Sequence, residues 1–263
     1  MSEAILFLAA PFAMSLILVG IHCYLGIHVL ARGVLFVDLA LAQVAVLGGL
    51  LPGLFWHDAG AAAQYAGSLL ATLACSAYLT VSNRVDLSQE GMIGVIYAFS
   101  SAVVMLIFHA MPHGQEHLVH SMSGQILFCS WGDVAKVAIV YAAVSWTHWL
   151  LRRPLLRASS GKAKPWQDFV FYALFGVVIS SSVRVAGVLI VFTFLIVPAL
   201  LSSLWFSKLG ARLAFGWLFG IVMSLAGMVA SYSFDWPTGP TFVVVFSLPL
   251  LLAVPLRMRR AAP

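Results

Sequence analysis

The stretch FVFYALFGVVISSSVRVAGVLIVFTFLIVPALLSSLWF, from Phe169 to Phe206, contains a single charged residue, Arg184. A helix needs roughly 20 mostly apolar residues to span the hydrocarbon core of a bilayer. The stretch is therefore long enough for two crossings, 166–183 and 186–206, with only a few residues around Arg184 between them. It predicts either a tight hairpin of two membrane helices or a helix that is broken or re-entrant.

The composition of the whole chain agrees with a membrane protein. Of its 263 residues, 62% are hydrophobic and 9% are charged, whereas a soluble domain carries roughly 25% charged residues. The net charge of +5 does not indicate nucleic-acid binding, because the basic residues lie at the ends of apolar runs and do not line one face. The three cysteines have no paired spacing, so we expect small core residues and neither a zinc site nor a disulfide framework.

Uncharged stretches along the rest of the chain predict further crossings. The sequence therefore predicts an all-α, polytopic membrane helical bundle of about nine transmembrane segments, with eight as the alternative if one segment near Arg184 does not cross. We expect one transmembrane domain over residues 1–263, with the first apolar run kept as a helix and not cleaved as a signal. The predicted segments are 4–31, 36–56, 62–82, 91–111, 133–151, 166–183, 186–206, 212–233 and 239–256.

The distribution of Lys and Arg predicts the orientation. With nine crossings and the N-terminus outside, every one of the 14 basic residues except Lys136 and Arg184 falls on the cytoplasmic side. Short cytoplasmic loops are enriched in Lys and Arg. The pattern therefore predicts an N-out, C-in topology.

Few residues could carry chemistry in such a chain. Asp38 lies inside the second segment, where it either bonds to a neighbouring helix or lies on an ion route. On the outer side, His113, Glu116, His117 and His120 offer imidazole and carboxylate ligands of the kind that divalent metals bind, although a solvated polar loop would also explain them.

The sequence gives little support to an enzyme. It contains no Walker-type phosphate loop and no Gly-x-Ser-x-Gly elbow. A membrane protease or lipid-modifying enzyme is the contrasting class, and it would need a nucleophile and a base at comparable depth. No convincing set of such residues occurs.

Several segments, in order along nearly the whole chain, resemble a known family. These are Gly33 to Gly49, Glu90-Gly91-Met92-Ile93-Gly94, Gly124-Gln125-Ile126-Leu127, Arg184 to Phe192 running on to Leu195-Ile196-Val197-Pro198-Ala199, and Asp235-Trp236-Pro237-Thr238-Gly239-Pro240-Thr241. They resemble elements of the permease subunits of zinc, manganese and iron ABC importers.

The chain departs from this family at two places. Many members carry an Asp and, four residues later, a His in the second segment, and both are thought to serve the metal path. The positions that match them here hold Leu39 and Gln43, with Asp38 one residue earlier. The second departure is the cytoplasmic loop after the fifth segment, where Leu155 to Pro165 is shorter than the family's ATPase-docking helix.

The resemblance implies a permease subunit of the bacterial inner membrane that forms a homodimer, with separate ABC ATPase subunits below and a periplasmic metal-binding protein above. The cargo is a divalent metal, zinc first and then manganese or iron, and no cofactor stays bound. The expected metal path includes Asp38 and Gln43. ATPase coupling is expected at Arg157, Ser159 and Lys162, and receptor docking at Arg184. An ATPase-independent secondary metal transporter is the alternative function.

Overall fold

The computed structural model describes residues 2–56, 59–85, 87–111, 119, 121–158 and 164–261. These residues form α-helices and one 3-10 turn at Ile126–Phe128, and they contain no strand, which confirms the all-α class. The helices are α1 (Ser2–Arg32), α2 (Val37–Phe55), α3 (Ala61–Ser82), α4 (Gln89–Ala110), α5 (Trp131–Leu150), α6 (Arg152–Ala158), α7 (Pro165–Ser203), α8 (Leu209–Phe234) and α9 (Thr238–Ala261).

Most of these helices are long and apolar enough to cross a bilayer. Within the described residues, seven meet that condition by length and composition: α1 to α4 and α7 to α9. Helix α5 has 20 residues, and it is not among the seven. The chain is thus a multi-pass membrane protein.

Helix α7 contains a break at the place where the sequence left a tight hairpin and a broken or re-entrant helix as alternatives. Its 39 residues would extend about 58 Å as a straight helix, almost twice the roughly 30 Å of hydrocarbon. At Gly187 the backbone leaves helical geometry, with φ 76° and ψ 165°. Because a side chain disfavours positive φ, glycine is suited to this position. The two halves of α7 meet at this residue with no loop between them.

The chain divides into two compact units. Unit 1 comprises residues 1–30, 123–138 and 185–263, and unit 2 comprises 31–122 and 139–184.

Unit 2 is held together by small and hydroxyl-bearing residues. Gly48 of α2 and Gly67 of α3 lie against each other so closely that a Cβ on either would meet the other's backbone. The Ser68 hydroxyl donates to the Ala45 carbonyl at 2.8 Å. Close approach through small residues, with hydroxyl groups bonding across helices, is the usual way in which membrane helices pack.

Unit 1 packs through glycines and aromatic rings. Gly26 of α1 lies on the backbone of Leu195, and Gly216 of α8 lies on Cys23 of α1. Phe194 of α7 contacts the ring of Phe246 of α9 at a centroid distance of 4.8 Å. Of the three cysteines, Cys23 and Cys75 are buried, as expected of small core residues, whereas Cys129 is half-buried.

Candidate functional site

Asp38 is the second residue of α2 and has 1% of its surface exposed. Neither carboxylate oxygen has a hydrogen-bond partner of good geometry in the described part of the chain. The backbone amides of Asp38 itself and of Leu39, in the first turn of the helix, are the donors that act on its carboxylate. A buried carboxylate with so little compensation is costly unless a cation or a proton neutralises it. Asp38 is therefore a buried carboxylate whose charge the described residues do little to compensate.

Glu90 places a second carboxylate near Asp38, close enough for its charge to act on Asp38. It is the second residue of α4, and its Oε1 accepts a hydrogen bond from the Phe36 amide at 3.2 Å. Its Oε2 is buried and has no partner among the residues that the structure describes. Two neighbouring carboxylates repel each other unless a positive charge is shared between them.

Gln43 is also buried in α2, with 1% of its surface exposed. Its Nε2 lies 4.0 Å from the Met122 sulfur, and its Oε1 accepts no hydrogen bond from any described residue. Five residues along a helix correspond to a rotation of about 140°, so Asp38 and Gln43 lie on different faces of α2. The structure therefore does not bring together the two metal-path residues that the sequence suggested within this helix.

The predicted outer metal ligands His113, Glu116, His117 and His120 lie outside the described residues. Among the residues that are described, no group of three or more His, Cys, Asp and Glu side chains could hold a metal ion. The capture of metal by this loop stays a prediction.

Arg184, the predicted receptor-docking residue, is exposed near the break in α7. Its guanidinium lies over the Tyr65 ring at 5.2 Å from the centroid, near the start of α3. A cation above an aromatic face is attracted by the negative potential of the ring. The contact holds the Arg184 charge beside the break while leaving it accessible.

Three of the segments that carry the family resemblance meet at this break within unit 1. The Gln125 amide donates to the Val185 carbonyl at 3.1 Å. Gly124, at φ 65°, lies on the backbone of Ala186 and Gly187. Gly239, at the start of α9, lies on the backbone of Ser123. The broken helix leaves carbonyls without their helical donors, and the loop at Gly124 supplies one donor in their place.

The expected ATPase-coupling residues fall at the edge of the described chain. The segment that begins at Arg152 forms the short helix α6, with Leu155 buried at 2% exposure. Arg157 belongs to this helix, but its side chain is not described, and Ser159 and Lys162 lie outside the described residues.

Sequence reasoning missed a buried ion pair in unit 2. Arg32 Nη1 lies 2.7 Å from Asp168 Oδ1, and the two side chains are only 6% and 9% exposed. Asn83 at the end of α3 donates to the other Asp168 oxygen at 3.4 Å, and the Arg32 guanidinium lies 3.9 Å from the centre of the Phe171 ring. The sequence showed only that each residue is a charge at the end of an apolar run. It could not show that they pair, because they are 136 positions apart.

Comparisons with known proteins all point to one family. The chain matches the ABC 3 transport family over residues 5–257. It is 24% identical to the manganese transport system membrane protein MntC of Halalkalibacterium halodurans, over 90% of this chain and 83% of that protein. It is 22% identical to a probable iron transport system membrane protein of Haemophilus influenzae, over 76% of this chain and 77% of that one.

A solved structure shares the fold. The structure of PsaBC from Streptococcus pneumoniae in complex with Fab superposes with a TM-score of 0.76 and 18% identity, over 94% of this chain and 90% of the matched one. The family match covers nearly all of the chain and agrees with the apolar helices and with the motifs around Gly187. The chain therefore belongs to the ABC 3 transport family, which confirms its resemblance to the permeases of metal-ion ABC importers.

Proposed function

We propose that the chain is the membrane-spanning permease subunit of an importer of divalent metal ions. Membership of the ABC 3 transport family over residues 5–257 carries this proposal. The relatives described above are named for manganese and iron. The donors in α2, a carboxylate and an amide, suit manganese better than zinc, which favours imidazole and thiolate. We therefore place manganese and iron ahead of the zinc that the sequence suggested.

The topology that we propose has nine crossings with the N-terminus outside. Seven helices satisfy the length and composition of a crossing. The break at Gly187 makes two segments of α7, and α5 has 20 residues, enough to span the hydrocarbon. Counting both gives nine. The basic residues then fall almost entirely inside, as the positive-inside rule requires.

The metal route in this proposal begins at the outer loop with His113, Glu116, His117 and His120 and ends near Asp38. Under the proposed topology, the first turn of α2 lies towards the cytoplasm. Asp38 and Glu90 would meet the ion as it leaves, and Gln43 would be the polar group that it passes deeper in the helix. These are weak and exchangeable ligands, as transport requires. The metal is cargo and not a resident cofactor.

Partner chains supply the energy and the metal in this proposal. ATPase subunits bind at the cytoplasmic segment that contains α6, with Arg157, Ser159 and Lys162 as the contacts, and they alone hydrolyse ATP. A periplasmic metal-binding protein docks near Arg184, whose guanidinium is exposed above Tyr65. Two copies of the chain pair about a two-fold axis, the commonest symmetry of homo-oligomers, in the bacterial inner membrane.

The test is metal uptake by proteoliposomes that contain the chain and its ATPase subunits. We expect ATP-dependent accumulation of manganese or iron(II) inside vesicles when the receptor is added on the outer face. Vesicles with a hydrolysis-deficient ATPase are the matched control and should show none. Uptake that needs no ATPase would make the chain a secondary transporter, and the absence of uptake for manganese, iron and zinc would contradict the proposal.

A further inference from the structure

Two tryptophans and two arginines form an exposed cluster where α5 ends and α6 begins, in unit 2. Trp146 and Trp149 are 62% and 54% exposed, and their rings stack at a centroid distance of 5.3 Å. The Arg152 guanidinium lies 5.2 Å from the centre of the Trp149 ring. Arg153, the next residue, is also exposed.

The sequence on both sides of this cluster carries charge of one sign. No Asp or Glu occurs from Val134 to Gln167, and the next acidic residue, Asp168, is buried against Arg32. The basic residues of the same stretch are Lys136, Arg152, Arg153, Arg157, Lys162 and Lys164. Neither Arg152 nor Arg153 has a carboxylate partner among the described residues. The surface is therefore suited to an anion, which none of the described residues supplies.

We propose that Trp146, Trp149, Arg152 and Arg153 bind the headgroup of an anionic phospholipid. Exposed indole rings at the end of a membrane helix are typical of the interface between the hydrocarbon and water. The planar guanidinium of Arg152, held by the Trp149 ring, has donors free for two phosphate oxygens. Basic residues just beyond a membrane helix attract anionic lipid. The proposed topology places this lipid in the cytoplasmic leaflet, but the binding itself does not depend on that assignment.

The lipid contact and the proposed ATPase contact fall on different parts of the basic segment. Arg152 and Arg153 lie next to the membrane helix and would contact lipid, whereas Arg157 and Lys162 lie further along the segment, where the ATPase contact is proposed. Loss of one function should therefore leave the other in place.

The experiment is competitive lipid binding to the purified full-length chain, measured by native mass spectrometry. The probe is an equal mixture of phosphatidylglycerol and phosphatidylcholine. We expect the wild type to retain phosphatidylglycerol preferentially, and Arg152→Gln to lower that preference about fivefold, since each basic residue near an anionic surface contributes roughly 1 kcal/mol. Arg152→Gln combined with Arg153→Gln should lower it further. Arg152→Lys should keep part of it, because the charge remains but the planar donor set does not.

The matched control is Arg84→Gln, which neutralises another exposed arginine at the end of an apolar helix without a neighbouring tryptophan. It should leave the lipid preference unchanged. Equal retention of both lipids by the wild type, or an equal loss in Arg84→Gln, would overturn the proposal. So would displacement of the lipid by inorganic phosphate at comparable concentration. A double arginine variant that keeps its phosphatidylglycerol but no longer stimulates the ATPase would assign the surface to the ATPase subunit instead. None of these readouts requires metal uptake.

Discussion

Replacing Asp168 with Asn should destabilise unit 2 strongly, because it removes the only carboxylate paired with the Arg32 guanidinium among the described residues. The two groups lie 2.7 Å apart, and their side chains are 6% and 9% exposed. Removal of one partner of a buried pair costs about 3–5 kcal/mol, since the other charge stays buried without compensation. The Phe171 ring still faces Arg32 at 3.9 Å and offsets part of the loss. We therefore expect the lower end, about 3 kcal/mol, or roughly a 150-fold change in the unfolding equilibrium constant.

The assay is unfolding of the purified chain in mixed micelles with increasing sodium dodecyl sulfate, followed by circular dichroism. Asp133→Asn is the matched control, because Asp133 pairs with Lys136 at 3.7 Å while their side chains are 43% and 81% exposed. An exposed pair contributes about 0–1 kcal/mol. The combined change of Arg32→Met and Asp168→Leu should recover most of the stability, because neither charge of the pair remains buried without its partner. Equal destabilisation by Asp168→Asn and Asp133→Asn, or a double variant as unstable as the single one, would refute the reasoning.

Four further predictions concern the break in α7, the topology, the coupling segment and the metal route. Gly124→Ala should reduce the yield of folded protein in size-exclusion chromatography, because Gly124 has φ 65° and lies on the α7 backbone, whereas Gly20→Ala, with open space around it, should not. Burial raises the pKa of the Cys129 thiol to about 11, and the Asp133 charge adds to this shift. An impermeant maleimide added outside should therefore label Cys129 faster as pH rises towards that value. Labelling only from the cytoplasmic side would contradict the topology, as would a periplasmic signal from a reporter fused after Arg260. Replacing residues 159–162 with a neutral linker should leave insertion intact but uncouple ATP hydrolysis from uptake, and unchanged uptake would count against an ATPase contact there. Asp38→Asn should abolish uptake at normal protein levels, and His117→Ala or His120→Ala should lower uptake most at limiting metal. Normal uptake by the triple variant of His113, His117 and His120 would mean that the loop is only solvated surface.

The helices could be predicted closely because apolar length is a strong signal in a membrane protein. The expected segments 36–56, 62–82 and 91–111 correspond to α2 at Val37–Phe55, α3 at Ala61–Ser82 and α4 at Gln89–Ala110. The join within α7 was harder, since a polar residue inside an apolar stretch fits a hairpin as well as a break. The non-helical backbone at Gly187 locates the join, and the hydrogen bond that Gln125 donates to Val185 beside it comes from a distant segment that no local pattern contains.

The site was less predictable, because its contacts join residues far apart in the chain. A negative charge near the start of a helix is favourable for any helix, so the position of Asp168 alone did not distinguish a capping charge from a partner of Arg32. The separation of Asp38 and Gln43 was readable in advance, since a spacing of five places two residues on different helix faces. Sequence spacing thus defined the faces of α2, and only the structure showed that the Asp38 oxygens lack good partners in the described chain.

The position of Asp38 also determines which step of transport its replacement should change. The charged groups that the structure buries wholly or in part in unit 2 lie in the first or last turn of a helix. Arg32 ends α1, Asp38 begins α2, Glu90 begins α4 and Asp168 begins α7. Under the proposed topology all four lie at the cytoplasmic end, so an ion from outside meets Asp38 last. A group at the exit affects release more than capture. If any uptake survives in Asp38→Asn vesicles, it should therefore show a strongly reduced maximal velocity with a nearly unchanged half-saturating metal concentration, whereas His117→Ala should raise the half-saturating concentration. The reverse assignment of these two effects would place Asp38 at the entrance and contradict the N-out topology.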